Sequence, residues 1–358
     1  MSGLPERLAG RIRQDVQGMH AYAIQPSTGM VKLDAMENPH RLPPELQRQL
    51  GERLAALALN RYPGDRIEDL RRALKQHAQV PDGSDLMLGN GSDELISLLA
   101  MACDVPGATI LAPSPGFVMY GMSAQLQGLR FVAVDLTPDF QLDEAAMLRA
   151  IEQHQPAIVY LAYPNNPTAN LWDDAAIERI VQAAPGLVVI DEAYQPFASR
   201  TYADRMARHD HVLLMRTLSK FGLAGVRLGY LVGAAALIGE VDKVRPPYNV
   251  SVLNCEAALF ALEHADVFAA QAEDIRRQRG FLLDRLGALP GVRPFPSDAN
   301  MVLVRVPDAD KAFQGLKSRG VLVKNVSRMH PLLAGCLRLT VGTADENAQL
   351  LSALQASL

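Results

Sequence analysis

The sequence predicts an α/β protein: a large unit with a mostly parallel sheet sandwiched by helices, and a smaller α/β unit. Two patterns carry this prediction. From about residue 79 to about residue 245, short apolar runs alternate with stretches of helical periodicity. The runs are apolar throughout rather than at every second residue, as expected of parallel strands covered on both faces. After Pro290 and Gly291, further strand-like pieces follow a long helical stretch.

Residues 1–50 read as a polar arm that joins the smaller unit, with one strand-like piece, Val31–Asp34, and turn signals at Asn38-Pro39 and Pro43-Pro44. Ile67, Leu70 and Leu74 are spaced for an amphipathic helix over 65–78. The large unit, 51–250, holds the runs Thr109–Ala112, Phe131–Val134, Ala157–Leu161, Leu187–Ile190, Val212–Met215 and Gly229–Val232. Residues 251–358 begin with a long helical stretch to about Leu289, in which Leu259, Leu262, Phe281, Leu282 and Leu286 are expected to be buried. Asn300–Val306, Gly320–Val323 and Cys336–Val341 read as strands of the smaller unit.

With 358 residues the chain can bury a full core and form two domains. A net charge of −4 offers no electrostatic reason to bind nucleic acid. Cys103, Cys255 and Cys336 are odd in number, with no C-x-x-C spacing, so reduced thiols are expected rather than a disulfide framework or a metal site. No signal peptide is apparent, and no stretch approaches a membrane span; Leu228–Ile238 reads as a strand and turn. A cytoplasmic protein is expected.

Ligands of open α/β sheets sit at the carboxyl ends of the strands. Three runs lead there into polar groups: Asn166 after Ala157–Leu161, Asp191 after Leu187–Ile190, and Lys220 after Val212–Met215. Their separations suit one crossover each, so the three can converge. A carboxylate after an apolar strand needs a partner, which a protonated pyridine nitrogen would be; the acid could equally cap a helix. Lys220 stands just after Thr217 and Ser219, and Arg227 follows seven positions on. A lysine forming an imine with an aldehyde cofactor needs such a setting, because an ordinary lysine has on the order of one amine in a thousand unprotonated at pH 7. Gly89-Asn90-Gly91-Ser92-Asp93-Glu94 opens a helical pattern and provides an anion cradle of backbone N–H groups. As a dinucleotide fingerprint it lacks the last glycine, since Glu94 stands there.

Together these residues resemble the fold-type I aminotransferases that use pyridoxal 5'-phosphate (PLP), and in particular the histidinol-phosphate aminotransferase family. The resemblance spans nearly the whole chain: Lys32–Pro39, Arg61-Tyr62-Pro63, Gly91–Glu94, Tyr163–Thr168, Asp191–Tyr194, Thr217–Arg227 and Cys336–Thr343. It implies that Lys220 is the Schiff-base lysine, that Asp191 pairs with the pyridinium, and that Asn166 and Tyr194 contact the ring oxygen. Ser92, Asp93 through its backbone, Thr217, Ser219 and Arg227 match positions that hold the cofactor phosphate. Phe117 matches the aromatic stacked on the ring, although a core phenylalanine would read the same way. Tyr62 matches a tyrosine reaching the neighbouring subunit's cofactor, which implies a homodimer. Arg338 matches the arginine that grips the anionic end of the substrate, and Tyr22 an N-terminal tyrosine near the substrate phosphate.

The chain departs from the family pattern in three places. Ala169 follows Thr168 where glycine is usual, so its backbone is expected to avoid positive φ. The lysine loop is one residue shorter than in many relatives, with Arg227 still in reach. Lys324 stands where many members have a second substrate arginine, and a lysine is a point charge rather than a fork. The implied activity is amino transfer between L-histidinol phosphate and 2-oxoglutarate in histidine biosynthesis, with no metal. An aromatic amino-acid aminotransferase or a threonine-phosphate decarboxylase would use the same site. A nicotinamide-binding oxidoreductase would leave Lys220 without a role, and a PLP-binding regulator would need a basic DNA-binding segment.

Overall fold

The computed structural model describes residues 5–19 and 25–358; Tyr22 lies outside them. A seven-stranded sheet forms the centre, in the order Ser84–Gly89, Gly229–Ala234, Val212–Thr217, Leu187–Asp191, Ile158–Ala162, Thr109–Ser114 and Arg130–Asp135. Only Gly229–Ala234 runs against the rest, since both of its pairings are antiparallel. The six expected runs are all strands of this sheet. Their continuous apolar character has the expected cause: alternate residues feed two separate cores. Val188, Ile190, Val212 and Leu214 pack into one, and Val189, Leu213 and Met215 into the other. Ser84–Gly89 was not anticipated. It is an edge strand whose first two residues are polar and only half-buried, which shortens its apolar signature to Leu86, Met87 and Leu88.

The expected helix over 65–78 forms at Arg66–His77, with Leu70 and Leu74 buried. A further helix, Pro44–Ala55, runs from the end of the arm into the large unit and is entered through a proline at its first position. The stretch 251–289 is two helices, Val252–Glu263 and Ala265–Gly287, broken at His264. Leu259, Leu282 and Leu286 are buried and Leu262 packs against the core, but Phe281 is exposed. On this helix the buried residues include Ile275, Leu282 and Leu286. A position one residue from Leu282 turns about 100° away, where the Phe281 ring instead lies under the Arg285 guanidinium.

Lys324–Asn325, Cys336–Thr340, Met301–Arg305 and Arg293–Pro294 form an antiparallel sheet, and Val31–Lys32 pairs in parallel with Val321–Leu322. The arm thereby joins the smaller unit's strands. Leu33 and Met36 of the arm, with Tyr194 and Phe197 beyond the Leu187–Asp191 strand, share the core of Val302, Val304, Leu337 and Leu339. That core therefore reaches the carboxyl edge of the large sheet, where the strand-end residues gather. No helix among the described residues is long and apolar enough to cross a membrane.

Candidate active site

At this edge a pocket is lined by Ser92, Asp93, Phe117, Asn166, Asp191, Tyr194, Thr217, Ser219, Lys220 and Arg227, with Met36, Tyr120, Ala162, Pro164 and Ala193. Parallel register brings the strand ends level, since Ala162 pairs with Asp191 and Asp191 with Met215. Side-chain alternation then sends Asp191 and Thr217 into the pocket, while Glu192 and Arg216 meet elsewhere in a buried ion pair at 2.8 Å.

Lys220 lies in a wide helical turn, Ser219–Leu223, directly after the Val212–Thr217 strand. This turn closes only because Gly222 adopts φ 141°, and a Cβ there would sit 2.8 Å from the Phe268 ring. The Lys220 Nζ donates to the Ala35 carbonyl at 3.0 Å. Burial lowers its pKa to about 8, with the Arg338 and Arg227 guanidinium groups adding repulsion. Asp191 is also buried, and burial raises its carboxyl to about 6. Two donors oppose that rise: the Tyr120 hydroxyl at 2.7 Å and the Ala193 N–H at 3.0 Å.

The anion cradle is the start of the Ser92–Ala102 helix. Gly91 enters it at φ 83°, and a Cβ on Gly91 would lie 2.6 Å from the Arg227 guanidinium. Arg227 is held there by Asp93 at 3.1 Å, so the shorter loop does keep it in reach. Across the cradle, Thr217 and Ser219 face each other with their hydroxyl oxygens 3.0 Å apart.

The loop after Ile158–Ala162 is fastened by Asn165, whose amide donates to the Pro115 carbonyl at 3.0 Å and to the Thr168 hydroxyl at 2.7 Å. Asn166 then donates to the Tyr194 hydroxyl at 2.9 Å and accepts from Arg338 at 2.8 Å. Arg338 also donates to the Asp34 carbonyl at 2.7 Å. Lys324 is the cross-strand partner of Arg338, so both side chains leave the same face of that sheet. The expectation for Ala169 fails: it is fully buried at φ 65°. Its N–H bonds the Asn165 carbonyl and its carbonyl accepts from the Asp298 N–H at 2.7 Å, and closing both contacts imposes the left-handed backbone.

Tyr62 stays outside the pocket. It is 73% exposed and stacks on Tyr248 at 4.1 Å between ring centroids. Three contributors to the site, a tyrosine and two backbone carbonyls, were not legible as such. Tyr120 closes the Pro115–Tyr120 motif and sits three residues after Phe117, a helical spacing that puts both on one side of the Val118–Gln127 turn. The Ala35 and Asp34 carbonyls are backbone groups, for which residue type gives no signal.

The class I and II aminotransferase model matches residues 28–354. The chain belongs to that family. Within this family of aminotransferases, the chain is 73% identical over 360 residues to a histidinol-phosphate aminotransferase of Polaromonas naphthalenivorans, covering 100% of this chain and 99% of that one. It is also 73% identical over 358 residues to that of Methylibium petroleiphilum, covering 99% and 96%. The structure of the Sinorhizobium meliloti histidinol-phosphate aminotransferase in complex with pyridoxal-5'-phosphate superposes with a TM-score of 0.85 at 25% identity, covering 97% of each chain. This aminotransferase is therefore a PLP-dependent transaminase, and the oxidoreductase reading falls away. The pocket suits the cofactor: a glycine-opened helix terminus with two hydroxyls and a guanidinium for a phosphate, a buried carboxylate held by two neutral donors, and a lysine with a lowered pKa.

Proposed function

We propose that this enzyme transfers an amino group between L-histidinol phosphate and 2-oxoglutarate, giving imidazole-acetol phosphate and glutamate in histidine biosynthesis. The observation that carries the reading is identity of 73% along the full chain to relatives bearing that name. The geometry agrees with it. Both substrates present an anion, and a buried guanidinium beside the lysine accepts a phosphate or a carboxylate equally well.

When bound, PLP supplies a reactive aldehyde and an electron-accepting ring. The chain's own groups do the rest. Lys220 would hold the cofactor through its amine and, once freed by a substrate amine, would serve as the base that moves the proton at the substrate carbon. Its lowered pKa suits that work, because roughly a tenth of such amines are free at pH 7. Asp191 would keep the ring nitrogen protonated, and Asn166 and Tyr194 would bind the ring oxygen. Phe117 would pack on the ring. Ser92, the Asp93 backbone, Thr217, Ser219 and Arg227 would hold the cofactor phosphate. Arg338 grips the anionic end of the substrate, and Lys324 adds a second positive charge from the same sheet face.

The active form is a homodimer in which Tyr62 reaches the neighbouring site; its exposure in the single chain supports this. The compartment is the cytoplasm, in keeping with three free thiols. The deciding measurement compares kcat/KM for histidinol phosphate and for phenylalanine, each with 2-oxoglutarate. A preference for the phosphorylated amine by two orders of magnitude or more is expected. Equal or better use of phenylalanine would make this an aromatic amino-acid aminotransferase.

A further inference from the structure

The carboxyl of Asp191 is held in place by more than its strand. Tyr120, on the first turn of the Val118–Gln127 helix, donates its hydroxyl to Asp191 Oδ2 at 2.7 Å. Its ring has no freedom to turn away. It stacks on Tyr160 of the neighbouring strand, with centroids 4.3 Å apart and planes within 6°. On another side it meets the Phe117 ring nearly at right angles, at 5.6 Å. Tyr120 is 2% exposed and Tyr160 fully buried, so both rings are fixed within the interior.

We propose that Tyr120 is a positioning residue: its hydroxyl aims Asp191 and keeps it ionised toward the cofactor's ring nitrogen, while its ring braces Phe117. The inference rests on the reading of Asp191 given above. Burial raises the Asp191 carboxyl to about 6, and the negative charges of Asp93 and Glu192 act in the same direction. Tyr120 and the Ala193 N–H oppose them, with Tyr120 the larger of the two. Tyr160 and Tyr194 also face this region, but burial holds both as neutral phenols. An acid is ionised above its pKa, so affinity for a cationic ring is lost as pH falls through that value. Without the Tyr120 hydroxyl, that loss begins at a higher pH.

The test is equilibrium binding of PLP to the apoenzyme from pH 5.5 to 9, with melting temperatures alongside. Tyr120→Phe keeps the stacked ring and removes the donor. It is expected to bind PLP roughly ten- to a hundred-fold more weakly at pH 7, as for a lost hydrogen bond to a charged group. Its acid limb should move to higher pH while melting stays near wild type. Tyr160→Phe removes a buried hydroxyl that has no partner and should leave both readouts unaltered. Adding Tyr120→Phe to Asp191→Asn should weaken binding no further than Asp191→Asn alone, because the two act as one unit.

The proposal is overturned if Tyr120→Phe binds within about twofold of wild type, or if its loss multiplies that of Asp191→Asn. A loss accompanied by lower melting and an unmoved acid limb, or one shared equally by Tyr160→Phe, marks the tyrosines as packing and overturns it too. Asp191→Asn alone separates the underlying reading: if it binds PLP like wild type, the assignment of Asp191 fails and not merely the role of Tyr120.

Discussion

If Lys220 forms the imine, it must be buried enough to lose its proton yet remain able to reach a cofactor, and its surroundings suit both needs. Burial and two guanidinium groups lower its pKa, while the Ala35 carbonyl aims the amine. Because the pKa is lowered, the reactive neutral amine dominates above about 8 and is lost as pH falls below that value. The rate at which apoenzyme takes up PLP covalently should therefore rise with pH with a midpoint near 8. A midpoint near the ordinary lysine value of ~10.4 would mean that the amine is not desolvated when the cofactor arrives. Lys220→Ala should remain folded, lose multiple turnover and take no label on borohydride reduction. Retained turnover would end the covalent assignment. Asp191 is the mirror case, a buried acid raised to about 6 and restrained by two donors.

The strand ends are joined outside the pocket by the buried pair of Glu192 and Arg216. Glu192 also accepts from the Thr201 hydroxyl and from the Tyr202 N–H at 2.6 Å, so both its oxygens are satisfied. Breaking a buried pair costs about 3–5 kcal/mol because the surviving charge has no partner. Glu192→Ala should lower stability by that order in urea unfolding, and joint replacement as Glu192→Leu with Arg216→Met should recover most of it. If the single change lowers stability by less than ~1 kcal/mol, water reaches the guanidinium and the pair is not dry. The Thr168–Ala169 corner is a second element with a local constraint. A Cβ at φ 65° costs about 1–2 kcal/mol, and β-branching raises that further. Ala169→Val is expected to melt well below wild type, whereas Ala169→Gly trades relieved strain against lost packing and should melt within a few degrees. An Ala169→Val protein with wild-type melting would show that the corner can relax.

At the scale of the whole molecule, the exposed stack of Tyr62 on Tyr248 lies outside the lining of the enzyme's own pocket. If Tyr62 completes a neighbouring site, inactive Tyr62→Ala and Lys220→Ala subunits should regain activity when mixed, toward a quarter of wild type for random pairing with one intact site per mixed dimer. No recovery in mixtures shown by mass to contain heterodimers would end the shared-site proposal. The meeting of Lys220, Asp191 and Asn166 in one pocket was legible in the chain because each follows an apolar run, and hydrophobic continuity marks such strands. Three features were not legible. The Ser84–Gly89 strand has an apolar run of only three residues, the helix break at His264 lacks a proline or glycine signal, and the left-handed Ala169 depends on contacts with Asn165 and Asp298. Local order of side chains along a strand is enough to announce a reacting group, since burial and polarity alternate with the backbone itself. Which groups touch is a different matter. Tyr120 lies 71 positions from Asp191 and Ala35 lies 185 from Lys220, and only packing of distant segments creates those hydrogen bonds.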